Sequence, residues 1–319
     1  MSEDNNRMLK MLNLIRNKFL ILVSIVILFT TIRLYMQGTR TDINRPLVVI
    51  YETDLQHPHL KILQESLTKY GYEYKVLTDK TWIGFGKKVR RIHEHLKTLD
   101  PNKVVIVCDA RDVLAVNYSS EEFMRKFMET VDYDSKLVVS TEIGCCVRTP
   151  FGPGQYRTNT GDVLQRSYDK NKNGEEQQDK KWKTMFKWRA VQKGIKHPIE
   201  HKQSIYLNAG VYVGKVKNVT QVYRHMNIDE KEDDQIIMSE IFYLHPNMFH
   251  LDYSRQFFSN SHVWDKNNSA KATEDSGCYY DETDGLVVDT YLKSNPFFVH
   301  TPGKHFKCYD YVKKIKVAI

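Results

Sequence analysis

The chain has 319 residues, 41% hydrophobic and 27% charged, with a formal net charge of +8. That composition excludes a disordered or fibrous chain and allows one large globular domain or two small ones. The basic balance suits an anionic partner, but no zinc-finger spacing, RNP-like motif or dense arginine stripe is present, so nucleic acid is not expected.

The chain opens with an uncharged run, Phe19 to Ile32, preceded by Arg7, Lys10, Arg16 and Lys18. Fourteen residues are short for a bilayer span of about 20. Leu12 and Leu14 before it, and Leu34 to Met36 after it, extend the apolar surface. No small-x-small cleavage site follows, so an uncleaved signal anchor over 19–36 is expected rather than a removed signal peptide. Residues 1–18 would be a cytoplasmic tail, 37–46 a linker and 47–319 one catalytic domain on the lumenal (ER or Golgi) or extracytoplasmic side. Three sequons, at Asn117, Asn218 and Asn267, agree with that side. Five cysteines leave at least one unpaired within the chain, and Cys108, inside an apolar run, reads as a buried thiol.

After the linker, PLVVIYE (46–52) reads as a strand, and HLKILQESLTKYGY as a helix with Leu60, Leu63 and Leu67 on one face and Gly71 as its stop. EYKVL is a second strand. KKVRRIHEHLKTL is a helix burying Val89, Ile92, Leu96 and Leu99. VVIVC (104–108) is a buried strand running into Asp109 and Asp112, followed by a Ser-capped helix, SSEEFMRKFMETV, and a strand, KLVVST. This alternation predicts an α/β fold with a mixed, largely parallel sheet flanked by helices, whose ligands sit beyond the strands' carboxyl ends. The second half is less regular: a strand IYLNAGVYVG, an amphipathic helix EDDQIIMSEIFYL, and short strands MFHLD and PFFVH. Thr158–Lys181 and His262–Gly285 read as surface insertions.

Two carboxylates at one strand end repel unless a cation or proton lies between them. A hard divalent ion, Mg²⁺ or Mn²⁺, answers this. The bland alternative pairs Asp112 with Arg111 or a nearby helix and uses Asp109 to cap a turn. GFGKKVR puts glycines and lysines at a helix start, where backbone N–H groups suit a phosphate; a solvated basic helix start is the alternative. EDDQ reads first as dipole capping. FFVHTPGKHFK ends a strand on His300, a candidate imidazole ligand, before Gly303 and Lys304.

The order GFGKKV, VIVCDARDVL, VVSTE..CC, YLNAGVYVG, EDDQ, LD, FFVHTPG resembles the glycosyltransferase domain of the procollagen lysyl hydroxylases and the related collagen glycosyltransferases, from about Val48 to Val312. The resemblance implies a GT-A fold, a UDP-sugar donor, glucose or galactose, and Mn²⁺. It puts the metal on Asp109, Asp112 and His300. It implies donor-binding roles for Trp82, Lys88, Asp109, Arg111, Gly303 and Lys304, and catalytic roles for Asp233, Asp234 and Asn208. It implies transfer to a hydroxyl acceptor on a protein or glycan, hydroxylysine or glycosylated hydroxylysine among them. The expected partners are donor, acceptor, the membrane through the anchor, and a second copy of the chain as a homodimer.

The chain departs from that pattern in three places. Arg111 stands where family members often carry an aromatic, Cys146 where they often carry tryptophan near the acceptor, and Thr301-Pro302-Gly303 where they carry glycine-asparagine-glycine. No lysyl hydroxylase domain is expected beside it. The acceptor is therefore less determined than the donor, and a noncatalytic sugar- or protein-binding module of the same fold is the alternative function.

Overall fold

The computed structural model describes residues 45–130, 133–142, 155–157, 163–165, 188–194, 205–260 and 277–302, with Lys18, Ser24 and Cys308 as single residues. The chain divides into Met1–Arg45 and Pro46–Ile319. Among the described residues, every strand belongs to the second unit. The expected anchor lies outside the described residues, among which no helix is long and apolar enough to cross a membrane.

The first half follows the expected alternation. Strand β1 (Leu47–Tyr51) leads to α1 (Pro58–Lys69), where Pro58 fits the first turn and His57 Nδ1 accepts the His59 N–H at 3.2 Å. Leu60, Leu63 and Leu67 are buried, and Gly71, at φ 72°, takes the left-handed turn after the helix. Then come β2 (Glu73–Leu77), α2 (Phe85–Leu96), β3 (Val104–Cys108) and β4 (Val113–Ala115). Helix α3 (Ser120–Glu129) is capped by Ser119, whose hydroxyl accepts the Glu122 N–H at 3.2 Å. Strand β5 (Leu137–Glu142) follows, with a hairpin of β6 (Gln155–Arg157) and β7 (Val163–Gln165).

Strand β8 (Tyr206–Lys215) passes directly into α4 (Val216–Met226), a helix the sequence reading omits. Its apolar face, Val216, Val219, Val222, Tyr223 and Met226, has helical spacing. No polar cap or turn residue separates it from the strand, so its start carries no local signal. Helix α5 (Asp234–Leu244), β9 (Phe249–Leu251), β10 (Phe258–Asn260), β11 (Cys278–Asp281), β12 (Leu286–Asp289) and β13 (Phe298–His300) complete the domain. Strands β7 and β11 fall within the two stretches expected to be insertions, so each of those stretches carries regular structure.

The main sheet has the order β2-β1-β3-β8-β5-β9. The pairs β1–β2, β1–β3 and β5–β9 are parallel, whereas β8 is antiparallel to both β3 and β5. The fold is thus α/β with a mixed sheet, as expected, but β8 separates β3 from β5. Side chains alternate across the sheet: Val49, Val105 and Val107 pack with α2, α4 and α5, while Val48, Ile50, Val104 and Ile106 pack with α1 and α3. On the latter side Phe123 meets Phe257, Phe297 and Phe298 edge to face, at centroid distances of 5.5, 5.1 and 5.9 Å. Each such buried ring stabilises by about 1.5–3 kcal/mol.

A smaller sheet has the order β10-β13-β4, and its β4 is the next strand after β3 in the chain. Cys278 is disulfide-bonded to Cys308, and Cys108 is a buried free thiol whose pKa burial pushes up. Cys145 and Cys146 lie outside the described residues. Two of the three sequons are corrected by the fold. Asn117 donates to the Val287 and Pro296 carbonyls and accepts the Val287 N–H, and Asn218 sits buried in α4 and donates to the Asp134 carbonyl at 3.1 Å. Both amides are structural and closed to a glycan; Asn267 lies outside the described residues.

Candidate metal centre and donor cavity

Topology explains how distant residues meet. Because β8 is antiparallel to β3, with Cys108 opposite Val211, its start lies beside the end of β3. The Asp109 N–H donates to the Gly210 carbonyl at 2.8 Å. Because β13 is antiparallel to β4, His300 pairs with Val113, and the Thr301 N–H donates to the Asp112 carbonyl at 2.9 Å. One ligand atom each from Asp109, Asp112 and His300 therefore lies within 4.8 Å of the others. His300 Nε2 is 3.6 Å from Asp112 Oδ2 and 4.0 Å from Asp109 Oδ2.

Two carboxylates and an imidazole are a donor set that fits a divalent cation, and the nitrogen suits Mn²⁺ better than Mg²⁺. The site is also shaped around the imidazole. A Cβ at Gly210 would come within 2.0 Å of His300 Cε1. Burial alone would lower the His300 pKa, but Asp112 and then Asp109 outweigh it and raise the pKa. The bland pairing of Asp112 with Arg111 is not what forms. Arg111 Nε and Nη2 instead donate to Glu52 Oε2 and Oε1 at 2.6 and 2.7 Å. Burial would raise the Glu52 pKa, yet the Arg111 bonds and the Asp54 and Thr53 N–H groups lower it.

Lys88 is buried and bridges two helix and strand ends. Its Nζ is 2.9 Å from Asp109 Oδ1 and 2.6 Å from Asp234 Oδ2. Burial lowers its pKa, but the charges of Asp109 and Asp234 prevail and raise it well above the ordinary lysine range. The phosphate reading of the glycines before it is corrected. The Gly86 and Lys87 N–H groups donate to the Glu232 and Glu230 carbonyls at 3.1 and 3.2 Å, so they are not free for an anion. Gly84 and Gly86 are needed for close approach instead: a Cβ would lie 2.4 Å from the Glu230 carbonyl oxygen and 1.7 Å from that of Asp229.

The acids of EDDQ divide their work. Asp233 caps α5, its Oδ1 accepting the Gln235 and Ile236 N–H groups at 3.0 Å each. Asp234 turns to Lys88. Burial raises the pKa of both, and each raises the other's or feels a second acid beside it. Asn208, expected at the reacting centre, spends both ends of its amide on the protein: Nδ2 donates to Glu142 Oε2 at 2.9 Å, and Oδ1 accepts the Gly210 N–H at 2.9 Å. It is a positioning residue for Gly210 and hence for His300.

Glu142 and Gln235 also belong to the site, though neither is a candidate from the sequence. Gln235 Nε2 donates to Glu142 Oε1 at 2.7 Å, and its Oε1 accepts the Ala209 N–H at 3.2 Å. Both stood inside the quoted motifs, and Glu142, like Glu52, ends a strand, the same signal that marked Asp109. Burial lifts the Glu142 pKa from 4.5 to about 7, against the lowering bonds from Asn208 and Gln235. A carboxyl whose folded pKa is raised binds its proton more tightly when folded. The folded state is therefore favoured below pH 4.5, and that contribution is lost as pH rises to about 7. Melting temperatures measured across pH 4.5–7 should fall more steeply for the native protein than for Glu142→Gln; equal slopes would place the titration elsewhere.

A cavity of about 450 Å³ opens beside the cluster, lined by Tyr51, Glu52, Trp82, Phe85, Lys88 and the segment Asp109–Asp112. Trp82 is 49% exposed, with its ring 5.2 Å from Phe85 and 5.9 Å from Tyr51. Gly303 and Lys304 lie outside the described residues.

Residues 185–313 match the family model described as the PLOD GT domain. No curated protein sequence matches the chain. Among solved structures, a glycosyltransferase involved in glycosylation of the major capsid of PBCV-1 is 10% identical, with 86% of this chain and 99% of that chain covered and a TM-score of 0.42. A197 from STIV is 12% identical, covering 65% and 81%, with a TM-score of 0.31. The 2-C-methyl-D-erythritol 4-phosphate cytidylyltransferase of Francisella tularensis is 12% identical, covering 65% and 88%, with a TM-score of 0.32. At these values the structural likenesses carry no weight for function. The family match falls on the part of the chain holding YLNAGVYVG, EDDQ and FFVHTPG, so the resemblance read from motif order is supported there: residues 185–313 are similar to the glycosyltransferase domain of the PLOD proteins.

Proposed function

We propose that this chain transfers a hexose, glucose or galactose, from a UDP-sugar to a hydroxyl acceptor in a Mn²⁺-dependent reaction. The observation that carries the reading is the Asp109–Asp112–His300 cluster at the edge of a cavity walled by Trp82 and Lys88. Asp109, Asp112 and His300 would hold the ion, which when bound neutralises the donor diphosphate. Lys88 adds a fixed positive charge where negative charge grows on the departing UDP. Asp233 keeps one carboxylate oxygen, Oδ2, outside its cap; it is the group offered to the acceptor hydroxyl or to positive charge at the anomeric carbon. Hydroxylysine and galactosyl-hydroxylysine are the acceptors the resemblance favours. The apolar run Phe19–Ile32 supports a membrane-anchored form with the domain on the lumenal side.

The test is a screen of UDP-glucose and UDP-galactose against hydroxylysine peptides, galactosyl-hydroxylysine peptides and free sugars, with Mn²⁺ or with chelator. UDP release and the acceptor mass are read together. Metal-dependent UDP release with a hexose added to one acceptor is expected. Folded protein that releases no UDP from either donor, with any acceptor, would overturn the transferase reading and favour the binding-module alternative.

A further inference from the structure

The small sheet sets a second polar side chain beside His300. Strands β10 and β13 run parallel, with Phe258 opposite Phe298 and Asn260 opposite His300. Neighbouring strands lie about 4.8 Å apart, and every second residue of a strand shares a face. Two residues back on that face the Phe258 and Phe298 rings meet at a centroid distance of 6.2 Å. Asn260 and His300 therefore present their side chains next to each other, and both are buried, at 0% and 1% exposure.

The Asn260 amide is half used. Its Nδ2 donates to the Thr141 carbonyl at 2.7 Å. The opposite amide orientation would set two oxygens against each other, so this bond fixes which end is which. Oδ1 is left buried without a donor among the described residues. A buried acceptor in that state costs about 1–3 kcal/mol.

The metal cluster calls for such an acceptor. His300 Nε2 is the nitrogen that faces the acids, 3.6 Å from Asp112 Oδ2 and 4.0 Å from Asp109 Oδ2. A neutral imidazole that gives its Nε2 lone pair to a metal carries its proton on Nδ1. Ligating histidines donate that second N–H to an acceptor that orients the ring. Glu142, the third acid whose charge His300 feels, has one oxygen engaged by Asn208 and the other by Gln235.

Resting on the metal reading of the Asp109–Asp112–His300 cluster, we propose that Asn260 is the positioning residue of the imidazole ligand. Its Oδ1 accepts the His300 Nδ1–H, which fixes the tautomer that leaves Nε2 open to the ion and holds the ring against Gly210. The Thr141 bond fixes the amide, the amide fixes the imidazole, and β10 thereby serves a cluster to which it contributes no ligand.

The test separates an effect on the metal from an effect on folding. Mn²⁺ binding to the full chain without donor, read from the electron paramagnetic signal of the free ion, should be about tenfold or more weaker in Asn260→Leu. Melting temperatures should then fall further for this variant with Mn²⁺ than with chelator, because weaker binding removes stabilisation only when the ion is present. An amide that served structure alone would cost the same in both. In the His300→Ala background, Asn260→Leu should leave the residual Mn²⁺ affinity unchanged. If Asn260→Leu does not fold, the native protein decides. With isotope-labelled histidine and diamagnetic Zn²⁺ in place of Mn²⁺, nitrogen NMR should find the His300 proton on Nδ1, exchanging slowly with water. Unchanged Mn²⁺ affinity in folded Asn260→Leu, equal thermal losses with and without the ion, or a His300 proton on Nε2 overturns the proposal while the metal reading stands. Native protein that binds no Mn²⁺ overturns the metal reading, and the role of Asn260 with it.

Discussion

Asp112→Asn should lower Mn²⁺-dependent UDP affinity and cut UDP-hexose turnover by at least about 100-fold, roughly 2.7 kcal/mol of lost charge stabilisation. The substitution is nearly isosteric and spares the contact that holds the local fold. The Asp112 main-chain carbonyl, not its side chain, accepts the Thr301 N–H and hydroxyl at 2.9 and 3.2 Å and so keeps β13 in register. What is lost is one anionic ligand facing His300 Nε2. His300→Ala should damage the same step, weakening metal-dependent UDP binding without changing metal-free UDP binding. Calorimetry of UDP with and without Mn²⁺, paired with turnover on folded variants, makes the measurement. Full Mn²⁺-dependent UDP affinity in Asp112→Asn would mean that the two carboxylates serve structure alone.

The second large effect is expected at Gly210. An added methyl would sit 2.0 Å from His300 Cε1, 2.6 Å from Nε2 and 2.8 Å from Nδ1. The imidazole is buried, as are Val113 and Val299 beside it, so it has little room to give. Gly210→Ala should destabilise the domain by about 1–3 kcal/mol, the usual range for overpacking, and weaken Mn²⁺ binding by displacing the ring. Truncating the ring removes the clash, so Gly210→Ala with His300→Ala should be more stable than the sum of the single changes allows. Urea unfolding of the four proteins completes the cycle. Strict additivity would show that the imidazole swings aside freely and that Gly210 is not its cradle.

The sequence showed the β1–α1–β2–α2–β3 succession because each element there has its own period and its own stop, Gly71 after α1 among them. It showed Asp109 and Asp112 because a buried strand that ends in two acids is chemically odd wherever it folds. The antiparallel course of β8 was not readable, since strand direction inside a sheet is set by long-range pairing, and a buried strand reads alike in either direction. That direction brings Asn208 and Gly210 beside Asp109, so their work for His300 and Glu142 stayed hidden behind a motif of small residues. The glycines before Lys88 misled for a related reason. A glycine required by a neighbouring carbonyl and one required by a phosphate look the same in one dimension, and only the loop at Asp229–Glu232 separates them. Glu52 and Glu142 could have been found by asking of every strand end the question asked of β3.

The main-chain seam between the start of α2 and that loop has a consequence for how sequences of this kind can drift. The ion pairs that decorate it, Lys87 with Glu230 at 3.6 Å and Arg90 with Glu230 at 3.6 Å, are at least partly open to solvent and contribute about 0–1 kcal/mol each. They can be exchanged, reversed or erased with little penalty. Gly84 and Gly86 admit no side chain at all, because backbone atoms rather than yielding side chains occupy the space. Among relatives that retain the Lys88–Asp234 bridge, the charges around the seam should therefore vary freely while the two glycines stay fixed, an imprint of geometry in which the least chemically eventful residues are the least replaceable.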